Sequence, residues 1–335
     1  MGYKLPVHFS TSLICFILFM NPLFVYSELQ YPELYYNYYD DTCPHLRNIV
    51  RYNVWQAVRK ETRIAASLLR LHFHDCLVDG CDASILLDDT NTFKGEKNAL
   101  PNKNSVRGYE LIDSIKADVE RECPLTVSCV DILALAASEA IPLVGGPYWH
   151  VPLGRRDGIT ASQKSANEQL PSPFEPLANI TAKFTSKGLD LKDVVVLSGA
   201  HTIGFAQCCT FRSRLFNFKG TGKPDPTVHS SLLQNLQSMC PEGETQRTNK
   251  LAPLDSVTYN RFDHMYYSNL MNNSGLLESD QALIKDPTTA SMVNQYSMDR
   301  FRFYDDFAES MVKLGFVGIL TGENGEIRAK CGSVN

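Results

Sequence analysis

The chain has 335 residues, and 44% of them are hydrophobic, which is enough to bury the core of one large domain or of two lobes. Its formal net charge is -5, so the composition argues against a surface for binding nucleic acid. No internal repeat, low-complexity tract or linker divides the chain after its N-terminal segment.

Residues 1–27 are predicted to be a signal peptide. Lys4 precedes the apolar run "TSLICFILFM", and the segment ends at Val25-Tyr26-Ser27, an acceptable cleavage pattern. The run is shorter than the ~20 apolar residues that a membrane helix needs. Cleavage after Ser27 leaves residues 28–335 as a secreted domain without a membrane segment, and an uncleaved signal anchor is the alternative.

Cysteine usage also indicates an oxidising compartment. Ten cysteines, less Cys15 in the predicted signal peptide, leave nine, which implies four disulfide bridges and one unpaired thiol. Counting does not decide which cysteines pair. Two N-glycosylation sequons, at Asn179 and Asn272, fit a secreted chain, and the sequence does not show whether either carries a glycan.

Apolar residues at three- and four-residue spacing predict a mainly α fold. In chain order, helices are predicted for "RNIVRYNVWQAVRK", "TRIAASLLRLHFHDC", "GYELIDSIKADVERE", "SCVDILALAASEAI", "PLANITAKFTSKG", "SSLLQNLQSMC", "TASMVNQYSMD" and "YDDFAESMVKLGFVG". Alternating, strand-like runs are few and short. The connecting segments carry the expected turn residues.

The second of these helices contains a cluster of polar residues, "RLHFHDC". On a helix, Arg70 and His74 share a face, whereas His72 points away from it. The two histidines therefore cannot chelate one metal ion as they would on a strand, which argues against a zinc hydrolase. Arg70 and His74 form either an acid–base site, in which the cation stabilises developing negative charge, or a structural pair. His72 is predicted to be a structural histidine of the core.

A further histidine, His201, lies in "DVVVLSGAHTIGFAQC", after a helical stretch that breaks at Gly199. Ser198 is not in a nucleophile elbow, because the Gly-x-Ser-x-Gly pattern is absent. Taken alone, His201 is also best interpreted as structural.

Three motifs together resemble the secretory plant haem peroxidases, the class III peroxidase family. They are "RLHFHDCLVDGCDASILL", "VPLGRRDG" and "LSGAHTIGFAQC", and the similarity runs from "YYDDTCP" at Tyr38 to "RAKCGSVN" at the end of the chain. The resemblance implies a mainly α, two-lobed haem peroxidase fold, with haem b between a distal and a proximal lobe.

The resemblance also implies roles for the histidines. His201 matches the proximal ligand of the haem iron, and Asp280, in "GLLESDQ", matches the carboxylate that accepts from its other nitrogen. On the distal side, His74 matches the acid–base that takes a proton from hydrogen peroxide and returns it to the leaving oxygen. Arg70 matches the residue that stabilises charge there, and Asn102 the residue that keeps His74 basic.

Three further positions follow from the same resemblance. Phe73 matches the residue that shields the haem, and Glu96 belongs to the distal hydrogen-bond network. Pro171, in "LPSPF", matches the residue whose carbonyl meets a reducing phenol at the haem edge. Taken alone, Pro171 is an ordinary turn proline.

Two calcium ions are implied as well. The first site is expected to use Asp75, Asp82 and Ser84 with the carbonyls of Val78 and Gly80, all of them hard oxygen ligands. Its spacing is not that of an EF-hand, and without the resemblance a solvated acidic loop would be the better interpretation. The second site is expected to use side chains or carbonyls of Thr202, Asp255, Thr258, Arg261 and Asp263.

The family pattern implies the bridges Cys43–Cys123, Cys76–Cys81, Cys129–Cys331 and Cys208–Cys240. Cys209 is left over, either as a buried thiol, which we favour, or as a competitor for Cys240. A second departure is Leu254, where some family members carry an aromatic residue near the proximal haem face.

We therefore predict a secreted haem peroxidase that reduces hydrogen peroxide and oxidises small phenolic donors one electron at a time. It is expected to be extracellular, in the apoplast or cell wall, and monomeric. Since no C-terminal extension of the kind linked to vacuolar sorting follows Cys331, a vacuolar location is not expected. A catalytically silent haem- and calcium-binding wall protein is the alternative. The sequence does not identify the physiological reductant.

Overall fold

The computed structural model describes residues 1–2, 34–91, 93–243 and 250–335. The described helices are α1 Leu46–Lys60, α2 Ile64–Leu77, α3 Tyr109–Glu122, α4 Cys129–Ala140, α5 Gln163–Gln169, α6 Leu177–Thr185, α7 Leu191–Ser198, α8 Arg212–Phe216, α9 Ser230–Met239, α10 Met265–Met271, α11 Glu278–Ala282, α12 Pro287–Met298 and α13 Arg300–Leu314. Two short strands, β1 Phe205–Gln207 and β2 Leu251–Pro253, pair antiparallel with Ala206 opposite Ala252. The prediction of a mainly α fold is confirmed.

Every helix that apolar spacing predicted is present. In α1, for example, Leu46, Val50, Val54 and Val58 recur at four-residue spacing, and all four are buried. The helices that were not predicted are short or poor in apolar residues, such as α5 "QKSANEQ" and α11 "ESDQA". Such segments have too few apolar residues to show a helical period.

The centre of the fold is α4, in which all twelve residues are buried. It packs against α1, α2 and α3, as expected of a helix that is buried around its whole circumference. One of its two charged residues, Asp131, forms an ion pair with the buried Arg155, whose Nη1 lies 2.8 Å from Asp131 Oδ1. The Nε atom of Arg155 also donates to the Gly315 carbonyl at 2.8 Å. These bonds connect α4 with the segment that follows α13.

A second set of helices packs around α7. It contacts α6, α12 and α13, and α12 in turn contacts α10. A smaller hydrophobic cluster, separate from the main core, includes Phe211, Leu215, Leu232 and Leu236 from α8, α9 and their surroundings. All of these elements belong to one compact unit, Pro32–Asn335. A division into two lobes on either side of a haem stays a prediction.

Four disulfides link the described residues: Cys43–Cys123, Cys76–Cys81, Cys129–Cys331 and Cys208–Cys240. They are the pairs that the resemblance implied. Cys209 is an unpaired thiol, as favoured, but its expected burial was wrong because it is exposed. Cys208 points inward to its partner, and the neighbouring side chain in the same short turn points to solvent.

The predicted signal peptide at 1–27, and therefore its boundary with 28–335, lies outside the described residues except for the first two. Within the described ranges, none of the helices combines the length and apolar composition that crossing a membrane requires.

Candidate functional site

The α2 helix separates His72 from His74 as the sequence predicted. Arg70 Nε donates to His74 Nε2 at 3.1 Å, so the two residues one turn apart share a face. His72 is 1% exposed and lines a small buried pocket with Trp149 and Arg155, on the side of α2 that faces α4. His72 is therefore a histidine of the core.

The ring of His74 is fixed by Asn102. Asn102 Nδ2 donates to the Glu96 carbonyl at 2.9 Å, which turns Asn102 Oδ1 toward His74 Nδ1, 2.6 Å away. Because an amide oxygen only accepts, Nδ1 carries the proton and Nε2 is the unprotonated nitrogen, which accepts from Arg70 Nε. The arrangement presents Nε2 as a proton acceptor.

Burial and the neighbouring Arg70 charge lower the pKa of His74 to about 3, and the bond to Asn102 opposes this shift. Burial also lowers the pKa of the Arg70 guanidinium to about 10. Near neutral pH, His74 is therefore neutral and Arg70 is charged. A neutral base thus lies beside a permanent cation.

The guanidinium of Arg70 is held from its other side by the turn before α3. Its Nη2 donates to the Pro101 carbonyl at 2.8 Å and to Ser105 Oγ at 3.1 Å. Phe73 is partly buried, and its ring centroid lies 6.0 Å from that of His74 and 6.0 Å from that of Phe184 in α6. Ser105 was not predicted, because a single serine in a turn carries no local signal.

His201 occupies a different environment. A capping box of Asp190 and Asp193 begins α7, and the chain tightens into a short 3₁₀ turn, Gly199–Thr202, which carries His201. The Nδ1 atom of His201 lies 2.8 Å from Asp280 Oδ1. An ionised carboxylate only accepts, so Nδ1 donates and the lone pair of Nε2 is free.

The partial exposure of the His201 side chain is compatible with ligation of a bound group. Its side chain is 37% exposed, whereas that of Asp280 is 3% exposed. Among the described residues, no hydrogen bond is made to His201 Nε2. A neutral imidazole oriented by a buried carboxylate is the arrangement that ligates metals in proteins, and Nε2 fits the iron of a haem.

Asp280 is positioned by residues that were not predicted. Arg214 is buried in an ion pair with Asp225, and its Nη1 donates to the carbonyls of Gly275, Leu276 and Leu277, just before α11. In addition, Tyr266 OH lies 3.1 Å from Asp280 Oδ1. Neither residue is close to Asp280 in sequence, so no local pattern could have identified them.

Asp75, in the last turn of α2, lies near Asp82 and Ser84 of the loop that follows this helix, where the first calcium site is predicted. The Asp75 carboxylate accepts from Ala83 N at 3.0 Å, and Asp82 accepts from Ser84 N at 2.9 Å. Burial and the nearby Asp82 raise the pKa of Asp75 well above its usual range. Within the described ranges, Ser84 Oγ has no hydrogen-bond partner. Two crowded carboxylates and a free hydroxyl fit a hard cation.

The cradle of this loop depends on Gly80. Its φ is +132°, and a Cβ there would lie 2.4 Å from the Gly318 carbonyl oxygen. The Cys76–Cys81 bridge closes the loop from inside. Position 80 therefore needs a glycine, whose carbonyl is one of the predicted ligands.

Four side chains of the second predicted site also converge. Thr202 Oγ1 lies 3.4 Å from both Asp255 Oδ2 and Asp263 Oδ1, and Thr258 Oγ1 lies 3.0 Å from Asp263 Oδ1. The two carboxylates are buried, and Arg261 N donates to the Thr258 carbonyl at 2.7 Å. Because Thr202 follows His201 directly, this oxygen cluster is joined to the 3₁₀ turn that holds the imidazole.

Within the described part of the chain, no group of three or more His, Cys, Asp and Glu side chains could hold a metal ion. Each calcium candidate offers two carboxylates. Each therefore depends on hydroxyl and carbonyl oxygens for the rest of its coordination.

Pro171 lies between α5 and α6 and is partly buried. Lys183 Nζ in α6 donates to the carbonyl of the preceding residue, Leu170, at 2.9 Å. The same helix carries Phe184, which contacts Phe73. The predicted contact of Pro171 with a phenol stays a prediction.

Comparison with known proteins agrees with these arrangements. Residues 50–299 match the family described as peroxidase. The chain is 61% identical over 302 residues to Peroxidase 10 of Arabidopsis thaliana, a match that covers 90% of this chain and 86% of that protein. It is 52% identical to Peroxidase N of Armoracia rusticana, covering 89% and 90% of the two chains, and 51% identical to Peroxidase 15 of Ipomoea batatas, covering 92% and 95%.

The relatives are named as peroxidases, which supports enzyme activity and does not support a catalytically silent protein. The family implies a haem cofactor, hydrogen peroxide and donor substrates. The resemblance drawn from the three sequence motifs is thereby confirmed. The chain belongs to the haem peroxidase family and, within it, to the plant peroxidases of class III.

Proposed function

We propose that this protein is a secreted peroxidase in which His201 binds the iron of haem b while Arg70, His74 and Asn102 handle the protons and charge of hydrogen peroxide. The observation that carries this proposal is the contrast between the two imidazoles. His74 is buried with both ring nitrogens in hydrogen bonds to other side chains, and His201 is partly exposed with only Nδ1 so engaged.

Bound haem supplies the redox centre that peroxide oxidises by two electrons and that donors then reduce. The chain supplies the proton transfers. His74 Nε2, which is neutral near pH 7, accepts the proton of the peroxide oxygen that approaches the haem and returns it to the departing oxygen, which leaves as water. Asn102 keeps the other nitrogen protonated throughout, so the proton is taken and returned at one atom.

Arg70 stabilises the negative charge that develops as the oxygen–oxygen bond breaks. Its guanidinium is already anchored on the Pro101 carbonyl and Ser105, so little reorganisation is needed at that moment. Its Nε also contacts His74 Nε2, the atom that accepts the proton. Peroxide must therefore displace this Arg70–His74 bond when it binds. Phe73, beside His74, is proposed to shield the haem face.

Calcium is proposed at both oxygen clusters. The first would use Asp75, Val78, Gly80, Asp82 and Ser84, and the second Thr202, Asp255, Thr258, Arg261 and Asp263. Each cluster begins at the residue directly after a functional histidine, His74 or His201. Calcium would neutralise the carboxylates and fix the chain next to each imidazole.

Small phenols are the proposed donors, with Pro171 at the haem edge where they are oxidised. One-electron oxidation at an edge needs little shape recognition, so the donor set is expected to be broad. We further propose that residues 1–27 are removed as a signal peptide and that the domain 28–335 works outside the cell as a monomer. The four disulfides and the two sequons support the extracellular location.

The test is a rate measurement on protein purified with haem and calcium. We expect a Soret band, together with guaiacol oxidation that requires hydrogen peroxide, and a survey of phenolic donors would rank the substrates. A protein with a Soret band and no peroxide-dependent oxidation of any phenol would contradict the proposal. The His74→Ala variant serves as the matched control, because it keeps His201 for haem binding.

A further inference from the structure

The carboxylate of Asp280 accepts three hydrogen bonds, and two of them meet at one oxygen. Asp280 Oδ1 accepts from His201 Nδ1 at 2.8 Å and from Tyr266 OH at 3.1 Å, and Oδ2 accepts from Leu277 N at 3.2 Å. Tyr266 and Asp280 are both buried. Tyr266 thus joins His201 and Asp280 as the third member of a hydrogen-bonded triad.

We propose that Tyr266 is a positioning residue that sets the strength of the hydrogen bond from His201 Nδ1 to Asp280. Through the strength of that bond, Tyr266 would set the reduction potential of bound haem. This inference rests on the proposed roles of His201 and Asp280. When a carboxylate oxygen accepts a second hydrogen bond, less of its negative charge is available to strengthen the first hydrogen bond. The partners of a metal-ligating histidine adjust how much electron density the imidazole gives the metal.

The geometry fixes the direction of the Tyr266 hydrogen bond. A carboxylate cannot donate, so Tyr266 OH donates to Asp280 Oδ1. The neighbouring hydroxyl of Ser198 donates to the Val194 carbonyl at 2.7 Å, so its proton is used elsewhere. The Tyr266 ring lies edge-on to the His201 ring, with centroids 6.2 Å apart. The tyrosine therefore acts on the imidazole through Asp280.

The chain offers a matched control in the next residue. Tyr267 is equally buried and lies on the same helix, α10, but its hydroxyl is 3.1 Å from the Val195 carbonyl oxygen and does not reach Asp280. Tyr266→Phe and Tyr267→Phe each remove one buried hydroxyl. Only the first removes a donor from the carboxylate.

The experiment measures the ferric/ferrous midpoint potential of the haem- and calcium-loaded enzyme, with the iron–histidine stretching frequency of the ferrous form as a second readout. Without Tyr266 OH, Asp280 Oδ1 accepts more strongly from His201 Nδ1. The imidazole then gives more electron density to the iron, and the ferric state is favoured. We expect Tyr266→Phe to raise the ferric/ferrous ratio at a fixed potential about tenfold, which lowers the midpoint by ~59 mV for a one-electron couple. The stretching frequency should rise, and Tyr267→Phe should change both readouts much less.

Equal shifts in Tyr266→Phe and Tyr267→Phe, or a rise of the potential in Tyr266→Phe, would overturn the proposal. If Tyr266→Phe does not retain haem, 3-fluorotyrosine placed at position 266 alone decides the question. It is a stronger hydrogen-bond donor, so it should shift the potential upward, and an unchanged potential would refute the role of Tyr266.

Asp280→Asn, measured alongside, separates this inference from the proposed function. If Asp280→Asn changes the iron–histidine frequency while Tyr266→Phe does not, His201 and Asp280 keep their roles and Tyr266 loses its own. If wild-type enzyme shows no iron–histidine band, the proposed function itself fails.

Discussion

His74 and His201, for which two different tasks are proposed, differ in their surroundings. His74 lies inside a continuous helix, is buried, and uses both ring nitrogens in hydrogen bonds to Arg70 and Asn102. His201 lies in a short 3₁₀ turn, is partly exposed, and uses only Nδ1. The amide partner of His74 leaves a neutral imidazole that can accept a proton, and the carboxylate partner of His201 makes its imidazole a stronger donor to a metal.

The two regions also differ in the kind of contact that brings their residues together. Arg70 and His74 are brought together by one turn of α2, a local effect of the helix. His201 and Asp280 are 79 residues apart and meet through contacts between distant segments, including the buried Arg214 that binds the chain before α11. The Arg70–His74 pair is thus set by secondary structure, and the His201–Asp280 pair by tertiary structure.

The largest effect is expected from His74→Ala. It removes the group that is proposed to take and return the proton of peroxide, so the rate of haem oxidation by peroxide should fall by at least ~10²–10⁴-fold, the usual contribution of general acid–base catalysis. Haem binding should survive through His201. Stopped-flow mixing with hydrogen peroxide measures the rate, and a loss below tenfold would contradict the role of His74.

Asp280→Asn tests the proximal half of the comparison. An amide keeps the shape but not the charge, so the His201 imidazole becomes a weaker donor, and haem affinity or activity should fall by ~10–100-fold. Haem titration and the guaiacol assay measure the two quantities. Asp286→Asn is the control, because Asp286 only caps the start of α12. Equal behaviour of the two variants would exclude a special role for Asp280.

Calcium removal should have a smaller effect, concentrated on the distal side. Asp75 follows His74 directly in the last turn of α2 and lies near Asp82. Without the proposed ion, the two carboxylates would repel each other next to His74. Chelator treatment should lower peroxidase activity while the Soret band persists, and added calcium should restore the activity. Full activity in protein shown to be free of calcium would refute this coupling.

His72→Ala should affect stability but not catalysis. His72 is buried among core residues on the face of α2 opposite to His74, so its loss should cost about 1–3 kcal/mol of unfolding free energy. Urea denaturation measures that cost, and stopped-flow mixing should show peroxide oxidation of the haem at nearly the wild-type rate. A folded His72→Ala variant as slow as His74→Ala would show that the faces of α2 are wrongly assigned.

Residue spacing was sufficient to place Arg70 and His74 on one face of α2 and insufficient for the His201–Asp280 pair, for a physical reason. Helical periodicity is local, so the residue spacing alone places Arg70 with His74 and turns His72 away from them. No periodicity relates His201 to Asp280, and only the resemblance to a family indicated that pair. Tyr266 and Arg214 were missed because their contacts with the Asp280 region arise from packing between segments that are distant in sequence.

The same distinction applies to the fold. Long amphipathic helices such as α1 and α13 were predicted, whereas the short α10 and α11, which carry Tyr266 and Asp280, were not. The exposure of Cys209 could not be predicted, since it depends on which way one side chain of a 3₁₀ turn points.

The most direct test of the division between the two histidines is ligation of haem in His201→Gly and His74→Ala, read from the iron–histidine band of the ferrous protein. We expect His201→Gly to lose this band and to regain an iron–imidazole band when imidazole is added. We expect His74→Ala to keep the band but to react slowly with peroxide. A band that persists in His201→Gly without imidazole, or that disappears in His74→Ala, would contradict the division.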